Sequence, residues 1–199
     1  MQTRPIEAIV IGGSAGALDA LAGLLPALPA DCPLPVAIVV HVPPNKPSYL
    51  AEVLASRTVL RVKEAEDKEP IAPGVVYVAP PNYHLLIERG RTFALSDDQL
   101  LHFSRPAIDV LFESAAEAYG DRLAGVVLTG ASEDGAAGLA AIKRAGGLAI
   151  VQLPATASAR AMPEAAIAAT QVDHVLPVAE IAPLLARLAG GARRAEEVR

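Results

Sequence analysis

The run Ile9-Val10-Ile11-Gly12-Gly13-Ser14-Ala15-Gly16, with an apolar stretch behind it to Leu28, constrains the fold more than any other segment. Three large apolar residues in a row, two of them isoleucine, suit a strand buried on both faces. The glycines suit a tight turn, and the following residues read as a helix, so the unit is strand–turn–helix. Two chemically different sites use that unit. A dinucleotide-binding loop needs G-x-G-x-x-G, so that bare backbone can approach a pyrophosphate. Ser14 stands at the second glycine's position and would put a hydroxyl where the phosphate belongs. The same letters fit G-x-S-x-G, the elbow that presents a nucleophilic serine. A third reading makes Ser14 a helix N-cap with no chemistry.

The pattern then repeats along the chain. Strands are expected near 8–11, 36–40, 59–62, 126–128 and 148–151, and helices near 17–28, 47–57, 104–119, 136–145, after Pro163, and 178–188. Alternating strands and helices of this kind predict an α/β fold: a doubly wound, mostly parallel sheet with helices on both faces. The middle differs. Short strands near 75–78, 84–88 and 92–95 are separated by Pro80-Pro81-Asn82 and Arg89-Gly90-Arg91, and the last two read as an inserted antiparallel hairpin. A single domain over 1–189 and a polar, frayed tail over 190–199 are expected.

Composition removes several classes of function. Seventeen basic against 22 acidic residues give a net charge of −5, with no basic tract for nucleic acid. Aromatic residues make up 4% of the chain, too few for base-stacking platforms. Prolines and glycines interrupt every apolar run short of a membrane span, so direct membrane insertion is not expected. The lone Cys32 excludes an internal disulfide and reads as an inert small residue. His84, His102 and His174 lack metal-ligand spacing and read as structural or surface groups, so neither a metal nor a cofactor is expected. A cytoplasmic location is the expectation.

Chemistry gathers at the strand ends. In a parallel sheet, sites lie at the carboxyl ends of the strands. Ser14 follows the first strand and His41 ends the second. If those strands are neighbours, about 4.8 Å apart, the two side chains come within reach. Serine needs a base to take its proton, and the base needs an acceptor on its other nitrogen. Asp134 follows another core strand on the same rim; Glu133 is its rival, and Asp109 a weaker one because it sits within a helix. Spacing alone does not decide whether Asp134 touches His41 or Ser14. The chain order Ser–His–Asp departs from the Ser–Asp–His order of α/β-hydrolases, so that superfold is excluded.

From Ile9 to Leu188 the chain resembles the catalytic domain of the CheB-type chemotaxis protein-glutamate methylesterases. The resemblance rests on IVIGGSAGALDAL, VVHVPP, EAEDKEPIAPGVVYVAPPNYHLL, SRPAIDVLFESAAEAYG, LTGASEDGAAGLAAIKRAGG and AMPEAAI, in that order. It implies a Ser14–His41–Asp134 triad that hydrolyses glutamyl methyl esters on chemoreceptor cytoplasmic helices, releasing methanol; many members also deamidate glutamines. It implies backbone oxyanion donors near Ala15 and Ala131. An arginine at the start of a helix, Arg105, is a candidate grip on an acidic substrate.

This chain departs from the family pattern at Ala15 (usually Thr), at Val40 and Val42 around His41 (usually Gln and Met), and at Ala131 and Ser132 (usually Met and Gly). Only about eight residues precede the first strand, so no attached receiver domain is expected. The alternative is a CheB-like binding scaffold with weak turnover.

Overall fold

Residues 5–41 and 48–196 are described in this computed structural model. Strands β1 (Ala8–Gly13), β2 (Val36–Val40), β3 (Arg61–Glu64), β4 (Val75–Val78), β7 (Leu123–Val127), β8 (Leu148–Gln152) and β9 (His174–Leu176) form one sheet. Its order is β3-β4-β2-β1-β7-β8-β9, and every pairing is parallel. The hairpin β5 (His84–Ile87) and β6 (Phe93–Ser96) is antiparallel and stands apart as its own small sheet. The expected doubly wound class, with its inserted hairpin, is what the chain adopts.

Strand periodicity divides the core into two layers. Ile9, Ile11, Val36, Ile38, Ala124 and Val126 face one side, where α1 (Ala17–Leu24), α2 (Leu50–Ala55) and α6 (Val178–Glu196) pack. Ala8, Val10, Ala37, Val39, Leu123 and Val127 face the other, covered by α3 (Ile108–Tyr119), α4 (Ala136–Arg144), α5 (Ala161–Ala169) and the hairpin. Both faces of β1 are therefore buried, which is why it reads as an unbroken apolar run.

Several boundaries shift, each for a local reason. The first helix ends as α-helix at Leu24 and tightens into a 3₁₀ turn over Leu25–Ala27, because Pro26 cannot donate to a continuing helix. Helix α3 begins at Ile108, not at 104, after a cis Arg105–Pro106 bond. The expected helix at 47–57 is observed over Leu50–Ala55, and the proline-rich turn at 42–46 lies, with Pro47, outside the described residues. The polar tail expected over 190–199 is instead helical through Glu196. Ala189 and Ala192 are buried against the α1 layer, and that burial carries the helix through Gly190-Gly191.

Candidate active site

The sheet order sets β2, β1 and β7 side by side, so the residues leaving their carboxyl ends meet. Gly13 is in register with Val40, and the His41 amide donates to Gly13 O at 3.3 Å. On the other flank, the Ser14 amide donates to Thr129 O at 2.9 Å. Backbone pairing thus continues past the strand ends and fixes Ser14 between the other two loops.

Ser14 caps no helix. The N-cap of α1 is Gly16, with φ 79° and no side-chain cap bond. A Cβ on Gly16 would lie 2.6 Å from Ser158 Oγ, so this turn has room only for glycine. Among the described residues the Ser14 hydroxyl has no hydrogen-bond partner and remains half-exposed. Its contact with His41 is open, as catalytic hydrogen bonds often are before substrate closes them.

His41 and Asp134 do meet. His41 Nε2 lies 2.7 Å from Asp134 Oδ2, with side-chain exposures of 14% and 0%. Nε2 carries the proton to an ionised carboxylate, which leaves the Nδ1 lone pair free to accept one. The α3 N-terminus completes the Asp134 environment: Ile108 N donates to Oδ2 at 2.7 Å and Asp109 N to Oδ1 at 2.9 Å. Burial pushes the Asp134 carboxyl up, but the His41 bond and these two amides outweigh it and hold it below the usual range. The acidic rivals separate cleanly. Glu133 is exposed and sits 3.6 Å from His102 Nδ1, while Asp109 faces the Gly135 and Gly138 amides.

Four residues near the site have roles that the sequence reading did not give them; Asp109 entered it only as a weaker rival of Asp134, and His102 as a structural or surface group. Asp109 is buried and bonds His102 Nε2 at 3.2 Å through Oδ2. Burial is the main cause that raises its carboxyl, with the Asp134 charge adding and the Gly138 amide opposing. His102, Asp109 and Asp134 place ligand atoms within 4.8 Å of one another. Both Asp134 oxygens and Asp109 Oδ1 already accept N–H bonds, so the set is arranged to hold protons and amides. Thr129 Oγ1 donates to Ala15 O at 2.8 Å and accepts from Ala159 N at 2.9 Å. Gln152 Oε1 accepts from Thr129 N at 2.9 Å and is buried. Buried polar groups at strand ends, Thr129 and Gln152 among them, were the available signal.

The remaining candidates have structural occupations. His84 is buried, with Nδ1 accepting from Ala107 N at 3.2 Å and Nε2 bonded to Gln99 O at 3.0 Å. His174 opens β9. Cys32 is buried, and burial pushes its thiol up. Arg105 bonds Asn82 Oδ1 and the carbonyls of Asp97 and Asp98, so all three guanidinium nitrogens are engaged within the chain. Among the described residues, neither the Ala15 nor the Ala131 amide donates to the chain. Two concavities of about 280 and 660 Å³ open at the amino ends of the strands, the far end of the sheet, and are lined by none of Ser14, His41 and Asp134.

The sequence profile described as CheB methylesterase matches residues 9–185. The chain belongs to the CheB methylesterase family. A Leptospira interrogans relative, provisionally named a protein-glutamate methylesterase/protein-glutamine glutaminase, is 52% identical over 182 residues, covering 92% of this chain and 94% of that one. An Archaeoglobus fulgidus protein of the same name, without the qualifier, is 41% identical over 182 residues. The match covers 90% of this chain and 52% of the Archaeoglobus protein, about half its length. The CheB methylesterase catalytic domain of Thermotoga maritima superposes with a TM-score of 0.88 at 36% identity, covering 93% of this chain and all of that one. Among the described residues no helix is long and apolar enough to cross a membrane.

Proposed function

We propose that this CheB-family chain is a protein-glutamate methylesterase acting on methylated chemoreceptor-type proteins, with glutamine deamidation as a second reaction of the same site. The 2.7 Å His41–Asp134 bond carries the reading, because it leaves the other ring nitrogen free on the rim where Ser14 directly follows β1.

Ser14 Oγ attacks the glutamyl ester carbonyl while His41 Nδ1 takes its proton. The negative oxygen of the tetrahedral intermediate is held by the free amides of Ala15 and Ala131. Asp134 stabilises the imidazolium through Nε2–H and is not itself protonated. When the C–O bond breaks, His41 returns the proton to the departing oxygen and methanol leaves. Water then attacks the acyl-enzyme, His41 takes its proton, and Ser14 is released with a free glutamate. For glutamine the leaving group is ammonia and the second half is the same.

The departures at Ala15 and Ala131 change side chains, not backbone donors, and are compatible with turnover. Arg105 contributes by bracing the 97–105 loop on the rim through its carbonyl bonds. The test is methanol release from a methylated receptor domain, with wild type and Ser14→Ala side by side. Loss of the hydroxyl is expected to lower the rate by about four to six orders of magnitude. Near-wild-type release from the variant would overturn the assignment.

A further inference from the structure

Phe103 is 97% exposed, more than any other large apolar side chain described. It is not an isolated surface residue. Tyr83, Leu100 and Leu101 are exposed at 44%, 57% and 39%. The 82–84 and 97–99 segments that carry or adjoin them are tied together by Arg105–Asn82, Arg105–Asp98 and His84–Gln99 bonds. Leu100, Leu101 and Phe103 are thus near neighbours along the chain, and Tyr83 lies between two residues bonded to the same segment, an arrangement of the kind that marks a contact site.

The backbone under Phe103 is built to keep it outward. His102 and Phe103 both hold left-handed conformations, φ 49° and 59°, which side chains of their size rarely adopt. Reciprocal amide–carbonyl bonds between Leu101 and Ser104, at 3.2 and 2.9 Å, close the turn around them. His102 Nε2 then anchors it to Asp109 at 3.2 Å. A strained turn that is over-determined by its surroundings is where functional display is expected.

The place of the turn names its occupant. From His102 the contacts run to Asp109, whose amide holds Asp134, whose carboxylate holds His41. The turn therefore stands two hydrogen bonds from the Asp134–His41 pair, close to the rim that a protein approaches to deliver a side chain to Ser14. A protein interface buries about 800 Å² on each partner, enough to include a residue two hydrogen bonds from the triad.

We infer that the Leu101–Ser104 turn, with Phe103 at its tip, is a docking element for the folded protein that carries the glutamyl ester. The fitting partner surface has an apolar hollow beside the modified residue. This inference rests on the proposed methylesterase activity.

The test compares wild type and Phe103→Ser on a methylated receptor domain and on a small ester, p-nitrophenyl acetate. Receptor binding is also measured in the Ser14→Ala background with and without Phe103→Ser. Truncating an aromatic anchor is expected to weaken receptor binding and kcat/KM by about tenfold or more, chiefly through KM, with small-ester turnover unchanged. Equal affinity for the receptor in both backgrounds overturns the inference. Equal loss on both substrates also overturns it, because the turn would then act on the site itself. So does a wild-type dimer that Phe103→Ser splits without touching receptor kinetics, which would make a second copy the occupant. Receptor turnover that needs Ser14 but ignores Phe103 overturns only the docking role; no methanol from wild type overturns both readings.

Discussion

Asp109 and Asp134 each accept the amides that open the other's helix. Asp134, just before α4, takes Ile108 N and Asp109 N at the start of α3. Asp109, in the first turn of α3, takes Gly135 N and Gly138 N at the start of α4, at 2.9 and 2.7 Å. Each carboxylate satisfies donors that a helix N-terminus leaves unpaired, and each sits in the positive end of the partner's dipole. Asp134, the proposed orienter of His41, is thereby locked to a second carboxylate that does not bond His41.

Asp109→Asn and Asp109→Ala should therefore behave differently. The asparagine carbonyl can still accept both amides, so that variant should keep its fold and most of its kcat. Alanine orphans two buried N–H groups, at a cost of about 1–3 kcal/mol each, and releases the loop that carries Asp134. Circular-dichroism melts and methanol release on both variants check this; an alanine variant as stable and active as the asparagine one would refute the clasp.

The two carboxylates should oppose each other in acid. Asp134 is held below its ordinary value, so its contribution to stability is present above its unfolded pKa and lost as pH falls through its folded one. Asp109 is raised, so its ionisation destabilises the fold progressively as pH climbs from its unfolded pKa through its folded one. Urea midpoints across the acidic range should show Asp134→Asn losing the first dependence and Asp109→Asn the second. At neutral pH, Asp134→Asn should also lower kcat by about 10⁴, because the amide favours the wrong His41 tautomer.

How much of this was legible beforehand follows from which contacts are local. Ser14 and His41 could be placed because each directly follows a recognisable strand, and parallel strands bring their ends together. Spacing leaves Glu133 as a rival and only the family resemblance points to Asp134, since adjacent acids in one loop differ only in what lies opposite them. What lies opposite is the α3 N-terminus, about 25 residues away in sequence. Asp109 ranks in the sequence only as a weaker rival within a helix, because the amides it accepts are equally distant along the chain. Strand β9 is three residues long, too short to show a period of two, and was missed. The C-terminal helix was cut short because Gly190-Gly191 disfavours helix, a local preference that the burial of Ala192 overrides.

Thr129 ties the turn after β1 to the loop after β8. Its hydroxyl donates to Ala15 O and accepts from Ala159 N, two bonds that an isosteric valine cannot make. Each such bond contributes about 0.5–1.5 kcal/mol, so Thr129→Val should lower the melting temperature and reduce kcat by about tenfold, with KM little changed. Thr129→Ser, which keeps the hydroxyl, should restore most of both. A serine variant no better than valine would show that packing of the methyl group, not the hydroxyl, matters.

Two glycine-to-alanine changes in helices should have opposite signs. Alanine is favoured over glycine in a helix by about 1 kcal/mol. At Gly190, within α6, an added Cβ meets nothing within 4 Å, so Gly190→Ala should be stabilising by roughly that amount. At Gly138, within α4, the same Cβ would lie 2.5 Å from Phe112 Cβ and 3.1 Å from Asp109 Cα. Neither atom can rotate away, so α3 must move, at a cost of about 1–3 kcal/mol that exceeds the propensity gain. That shift also draws Asp109 from the Gly138 amide and Ile108 from Asp134. Gly138→Ala should therefore melt roughly 2–8 °C lower and lose kcat, while Gly190→Ala melts higher with kcat unchanged. A Gly138→Ala protein that gains stability like the Gly190 variant would mean that α3 and α4 do not need this close approach to hold the Asp134 carboxylate.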